Sequence, residues 1–575
     1  MQRRKFLKNT ASALCTASAI SSLVLARPKN LGIKNKPDWL LSLVETNDQR
    51  VEPLRALRVK DGSHPAFGGL TDGYGIPNVH SATNFVRTAV CALVSPESKY
   101  FHSESLAEEV ELALQYLLRA QHADGTVDLL STNFHSTPDL GFITKWLVPE
   151  YILMKRDGAT FFKAPLDSLK TFLQRAGEAL IVGGIHTPNH RWVVSAALTK
   201  LYELWPDPRY VARVEEWLAE QIDMDADGQY TEHSTYIYSP LTNQTLITIA
   251  KGLQKPEIFD YVRRNLTMTR YYAHPNGEVV TEASGRQDKA AVGTMEGYYY
   301  PYRFLALRDK DKDFAAMCRL IEETALPKVA SQLNYFLEDP SLWGELPSAN
   351  PLPTNYVKAF PYSGLVRIRR GDWDATLISK NPVWLTFHKG NAVLQGVRFA
   401  ASFFGKGQFE GGELTKSGGD WIMTQSLEGP YYQPFPKDKI PEGSGGNWEK
   451  LPKSDRQQSE VQRLVSTIKI RETATGVEAD IEIAGTDGIP VTVELIFREG
   501  GQFSGVESLI NNEKDAYLLE TNRQGTYSRE GDTVTFGSGK AEHRNLHLRG
   551  GLPRPDAPSV YLTGFTPFQH TLQLS

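Results

Sequence analysis

Between about residues 40 and 340, apolar side chains recur at intervals of three and four. Leu106, Ala107, Val110, Leu114, Leu117 and Leu118 form one such set, and Val193, Val194, Ala197, Leu198, Leu201 and Leu204 another. That spacing keeps one face of a helix apolar. Beyond about residue 350 the pattern changes to short runs rich in Val, Ile and Phe that partly alternate, at 365–368, 383–387, 393–399, 477–483 and 491–497. Gly and Pro clusters separate these runs, as antiparallel strands require. The expected fold is α+β and multidomain: a helical catalytic domain over 27–345, then an antiparallel β-sandwich or β-sheet domain over 346–575, joined near Pro340 to Pro361. Residues 405–460 carry Gly411-Gly412, Gly418-Gly419 and Gly443-Ser444-Gly445-Gly446 and read as long loops.

Polar loops centred on Gly73, Gly125, Gly184, Gly228 and Gly277 punctuate the helical part. Their spacing, about 50 residues, is the length of a helix, a turn and a returning helix. Stacked hairpins of this kind that curve inward form an incomplete (α/α) toroid, with all five loops ringing one mouth.

Composition narrows the classes further. Among 575 residues, 46 Gly and 33 Pro with 41% hydrophobic residues exclude a disordered or collagen-like chain. Cys15, Cys91 and Cys318 are too few and too scattered for a disulfide framework or a Cys-ligated metal. The first 26 residues, with Arg3-Arg4-Lys5-Phe6-Leu7-Lys8 before a weakly apolar run ending at Val24-Leu25-Ala26, read as a twin-arginine-type export signal, implying a periplasmic or secreted protein. No later segment is apolar enough to span a membrane. The formal charge of −4 becomes −8 once Arg3, Arg4, Lys5 and Lys8 are removed, which argues against a nucleic-acid partner. An anionic ligand must then be held by a local cluster.

Such clusters lie in the loops. Asn133 and His135 follow the Gly125 loop. His186 and Asn189-His190-Arg191 follow the Gly184 loop, and Glu232-His233-Ser234-Thr235-Tyr236-Ile237-Tyr238 the Gly228 loop. Glu282 and Ser284-Gly285-Arg286-Gln287-Asp288 follow the Gly277 loop. Asn, His, Tyr and Arg together suit the elimination of a 4-O-glycosidic bond beside a uronate. That reaction removes the C5 proton, stabilises charge building on the C6 carboxylate and protonates the leaving O4. Fixed donors around the carboxylate stabilise the enolate-like state, a Tyr or His moves the proton, and no metal or other cofactor is required.

Asn189-His190 at a helix start, followed by Asp227-Gly228-Gln229-Tyr230-Thr231-Glu232-His233-Ser234 and Tyr238-Ser239, resembles the helical-toroid polysaccharide lyases. These comprise the heparinase II/III-like and alginate lyase families, with a similar loop in hyaluronate and chondroitin lyases. The resemblance implies an anionic polysaccharide as substrate. It implies Asn189 as carboxylate neutraliser, His190 or His233 as base or its helper, Tyr238 or Tyr236 as acid/base, and Arg286 as a carboxylate ligand. Arg191, Asn133, His135, His388 and Tyr300 are further substrate-binding candidates, with Tyr431 and Tyr432 weaker ones. His388 has no paired His or His-x-Asp beside it, so no metal site is expected.

Competing readings attach to the same residues. Asn189 could serve only as a helix cap, Arg286 as an ion-pair partner of Glu282 or Asp288, and 298–303 as a packed aromatic corner. Asp128, Asp139, Glu232, Glu282 and Asp288 would equally suit a toroidal glycoside hydrolase, which needs two carboxylates. Aromatic-lined loops without catalysis would suit a glycan-binding protein.

Overall fold

The computed structural model describes residues 36–509 and 514–575; the export signal expected over 1–26 lies outside them. Among the described residues twelve α-helices come first: α1 (Asp38–Ala56), α2 (Val79–Leu93), α3 (Glu104–Ala120), α4 (Thr137–Asp157), α5 (Lys163–Val182), α6 (His190–Leu204), α7 (Pro208–Ala219), α8 (Tyr238–Gly252), α9 (Phe259–Thr269), α10 (Tyr299–Asp309), α11 (Lys312–Val329) and α12 (Leu333–Glu338). A small hairpin, β1 (Val127–Leu129) with β2 (Asn133–Ser136), precedes α4.

Burial sorts the helices into two layers. In α6 every residue from His190 to Thr199 is buried, whereas α7 buries only Tyr210 and Val214. Helices α2, α4, α6, α8 and α10 pack on one another in sequence, each backed by an outer partner, and α11 returns to α1. The helices are thus wound as a toroid. Local chemistry sets the ends of the inner helices: Asn78 accepts from the amides of His80 and Ser81, Ser136 caps α4, and Gly158 at φ 79° stops it.

The repeated turn falls at three of the expected glycines, Gly125, Gly228 and Gly277, and is displaced at a fourth. In four loops a glycine amide donates three residues back, and the residue there donates to the carbonyl just past the glycine: Asp72/Gly75/Ile76, His122/Gly125/Thr126, Asp225/Gly228/Gln229 and His274/Gly277/Glu278. All four glycines have φ between 79° and 99°. A Cβ on Gly125 or Gly228 would strike the carbonyl of Arg175 or Arg264, on the next outer helix, and one on Gly277 the side chain of Thr324. The first repeat therefore turns at Gly75 and not Gly73, and the Gly184 loop lacks this turn.

After Trp343 the chain becomes all-β, with its first strand at Asn355–Phe360. Sheets of eight and nine strands enclose one apolar core. In the eight-stranded sheet burial alternates, as at Leu464, Ser466, Ile468 and Ile470, because one face meets solvent. The nine-stranded sheet has a strand, Trp373–Ile378, that is buried throughout, because its outer face lies against the toroid. There Asp374 accepts from His274, Arg367 donates to the carbonyl of Tyr271, and Arg498 forms a bidentate pair with Glu278 at 2.8 Å.

Candidate active site

The N-terminal ends of α2, α4, α6 and α8 bring His80, Asp139, Asn189, His190 and Tyr238 to one side of the toroid. A cleft of about 690 Å³ opens there, lined by His80, Asp139, Tyr238, Phe142, Trp146, Tyr236, Gln244 and Glu296, and His190 packs edge-on against its Phe142 wall. Positive ends of helix dipoles favour an anion there, whatever the net charge of the chain.

Asn189 is not a cap. Its backbone is already helical and its side chain makes no capping bond. Thr187 Oγ1 donates to Asn189 Oδ1 at 3.1 Å, which fixes the amide so that Nδ2 donates to Glu232 Oε2 at 3.1 Å. Glu232 is buried, its Oε1 has no partner, and burial raises its pKa against the pull of Arg286, whose Nε lies 3.9 Å away. Arg286 therefore pairs with Glu232 and with neither Glu282 nor Asp288.

The two tyrosines differ in what meets their hydroxyls. Gln287 Nε2 donates to Tyr238 Oη at 2.7 Å, and the Arg286 guanidinium sits 5.4 Å from the Tyr238 ring centre. That hydroxyl accepts from an N–H donor, and a cation lies over the ring. Tyr236 instead donates to Glu296 Oε1 at 3.2 Å, and burial together with Glu296 raises its pKa. Asp288 holds the assembly: it accepts from Ser234 Oγ, Ser284 Oγ and the Tyr236 amide, and Ser234 Oγ accepts from the Tyr238 amide.

His190 is buried with Nδ1 unpartnered, edge-on to Phe142 and His186. Burial, aided by His186, lowers its pKa to about 4. It takes up its proton less readily folded than unfolded, so stability is full above pH 6.5 and falls as the pH drops from 6.5 toward 4, by roughly 3 kcal/mol in total. Denaturant titrations across this window should show that slope in the wild type and a flatter one in His190→Gln; equal slopes would refute the assignment. His233 adopts φ 52° and is half-buried, with no side-chain hydrogen bond among the described residues.

No protein-family model matches the chain, and no curated protein matches it in sequence. Solved structures do. Over 94% of this chain and 80% of the other, it superposes on the chondroitin AC lyase of Streptomyces coelicolor A3, in complex with chondroitin sulphate, at TM-score 0.55 and 12% identity. Heparinase III gives 0.53 and 10% identity, with 95% and 86% covered. A Paenibacillus xanthan lyase gives 0.50 and 13%, with 93% of this chain against 57% of that one. The fold is that of the toroidal polysaccharide lyases.

Within this lyase fold the remaining candidates fall in different places. Asn133 Nδ2 donates to Asp139 Oδ2 at 2.9 Å, at the cleft edge. His135 is exposed on the β1–β2 hairpin, bonded to Asp124 and stacked on His122 at 3.9 Å. Two assignments are corrected. The Arg191 guanidinium is consumed by Glu220, Asp223 and the carbonyls of Pro188 and Gln221, so it braces a loop and offers a substrate nothing. Tyr300 is buried and stacked on Tyr335 at 4.6 Å, outside the cleft lining. The sequence reading missed the pair formed by His80 Nε2 and Asp139 Oδ1 at 2.8 Å. Burial would raise the pKa of Asp139, but His80, Ser136 and Asn133 bring it down to about 2. The signal for His80 was its place at the end of the polar run that follows Gly73.

The expectation of no metal site is also revised. His388 stacks on His274 at 3.8 Å, and with Glu282 they offer ligand atoms within 4.8 Å of one another. Both His388 nitrogens are buried without a hydrogen-bond partner among the described residues, Nε2 lying 3.9 Å from Glu282 Oε1, and Asp374 accepts from His274 Nδ1. That donor set would suit a divalent ion such as zinc, which would tie the β-domain to the loop that leads to Arg286.

Proposed function

We propose that the protein is an exported polysaccharide lyase that cleaves a uronate-containing polymer by β-elimination, leaving a 4,5-unsaturated uronide end. The observation that supports this reading is the run of contacts from the Asn189 amide through Glu232 and Arg286 to Tyr238 and Gln287. The uronate carboxylate is held by Asn189 Nδ2 and Arg286, and Glu232, when protonated, adds a third donor. Tyr238 as phenolate takes the C5 proton. The C4=C5 double bond forms, the C4–O4 bond breaks, and Tyr238 returns the proton to O4. Of His190 and His233, His233 is the better acceptor for the phenol proton that readies Tyr238, because burial lowers the basicity of His190. Trp146 and Phe142 offer flat faces for sugar rings. The basic start of the chain, Arg3 to Lys8, supports export.

A panel of alginate, glucuronan, heparan-type, hyaluronan and ulvan-type chains tests the proposal. The expected result is ultraviolet absorbance of an unsaturated uronide with at least one of them. New reducing ends without that chromophore would point to hydrolysis instead. Asp139 does not favour that outcome, because both its oxygens are already engaged by His80, Asn133 and Ser136. Asn189→Ala is expected to lower kcat about 10²- to 10³-fold, as removal of one oxyanion donor does. A loss below about threefold, measured at saturating substrate, would remove Asn189 from the carboxylate site.

A further inference from the structure

A second cavity, of about 230 Å³, opens between the same inner helices. The cleft takes Phe142 and Trp146 from α4 and Leu241 and Gln244 from α8, whereas this cavity takes Lys145 and Pro149, then Thr248 and Lys251. At ~1.5 Å per residue the second hollow lies further toward the C-terminal ends of those helices. Tyr335 borders both, so the two stand back to back. Lys251 and Glu203 form the rim, with side chains 39% and 34% exposed, while Lys145 is buried at the base.

The charges of this cavity pair off with one exception. Lys200 meets Glu203 and Glu338 at 2.6 and 2.5 Å, and Lys251 meets Asp339 at 2.7 Å. Among the described residues Lys145 has no carboxylate partner. Its Nζ reaches only the Tyr335 hydroxyl, at 3.2 Å, and the faces of Trp146 and Tyr335. Burial lowers its pKa to about 7, and no acidic neighbour offsets that. An interior ammonium without a counter-ion is strongly disfavoured. A carboxylate brought in from solution satisfies it. The rest of the lining describes the remainder of such a ligand: carboxylates already neutralised by lysine still accept from hydroxyl groups, and Thr248 and Tyr335 add hydroxyls of their own.

We infer that this cavity binds a small hydroxylated carboxylate, a single uronic acid ring, with its carboxylate on Lys145 and its hydroxyls on Glu203, Glu338 and Asp339. The site is separate from the cleft and does not rest on the lyase reading. Glucuronate titrated into the full chain by calorimetry tests it, with glucose and acetate as controls for the missing carboxylate and the missing ring. Saturable binding of glucuronate is expected, with both controls at least tenfold weaker. Lys145→Met, which keeps the stem and removes the charge, should weaken glucuronate at least tenfold, and glucuronate should raise the melting temperature of the wild type but not of that variant. Glu338→Gln, at the far wall from the cleft, should weaken it as well. No saturation in the wild type, equal affinity in Lys145→Met, or acetate binding as tightly as glucuronate would each overturn the inference. Polymer cleavage is scored separately, so an inactive lyase leaves this result standing.

Discussion

Tyr238→Phe is expected to lower kcat for elimination by about 10³- to 10⁴-fold, the upper part of the range that a positioned acid/base contributes. The substitution removes one oxygen whose protein partner is the exposed Gln287 amide, so stability should change by less than about 0.5 kcal/mol and substrate binding should barely alter. The contrast is Tyr236→Phe. Its hydroxyl is a donor to Glu296, and burial with that carboxylate keeps the phenol protonated, which suits it poorly to proton abstraction. Its loss forfeits one hydrogen bond, roughly 1 kcal/mol, and about tenfold in rate at most. Steady-state rates on the best polymer of the panel separate the two. Full activity in Tyr238→Phe with little in Tyr236→Phe would exchange the roles of the two tyrosines.

Why these tyrosines could not be ranked from the sequence is a matter of distance along the chain. Tyr236 and Tyr238 lie in one short stretch, and what distinguishes them comes from Glu296 and Gln287, on later loops. Features that are local were legible. The helical periodicity, the change to alternation after about residue 350 and the Asp-Gly and Asn-Gly turns each depend on neighbours within a few residues, and the two domains follow from them. Even there the glycine at Gly75, four residues after Thr71, carried the turn that Gly73 was expected to make, because both belong to one Asp-Gly-Tyr-Gly run and only the backbone bonds choose between them. Arg191 looked like a ligand because it stands beside Asn189-His190. One residue further along a helix turns the side chain by about 100°, and Arg191 points to Glu220 and Asp223 on the outer side. The paired histidines were hidden for the opposite reason: His274 and His388 come from different domains and meet only when the nine-stranded sheet docks on the toroid.

That docking is the second place where a large effect is expected. Asp374 is fully buried and accepts from Arg367 Nη1 at 2.7 Å and from His274 Nδ1 at 3.0 Å, across the seam between the domains. Burial alone would raise its pKa, but Arg367 and His274 outweigh burial and hold it far below the usual carboxylate range. Asp374→Ala leaves the guanidinium of Arg367, itself fully buried, without its counter-ion, and leaves His274 without its acceptor. The expected cost is about 3–5 kcal/mol, as for other buried pairs broken on one side. The double variant Arg367→Met with Asp374→Leu should recover most of it, since a matched apolar pair strands no charge. Chemical denaturation of wild type, single and double variants measures both terms, and a single-variant cost below about 1 kcal/mol would show that the seam is held elsewhere. The effect reaches the chemistry as well. His274 opens the loop whose later residues are Glu282, Arg286 and Gln287, so loosening Asp374 should blur the position of the two groups that flank Tyr238. In the folded fraction of Asp374→Ala, kcat should therefore fall, while the double variant, which restores the packing but not the bond to His274, should recover stability more fully than rate.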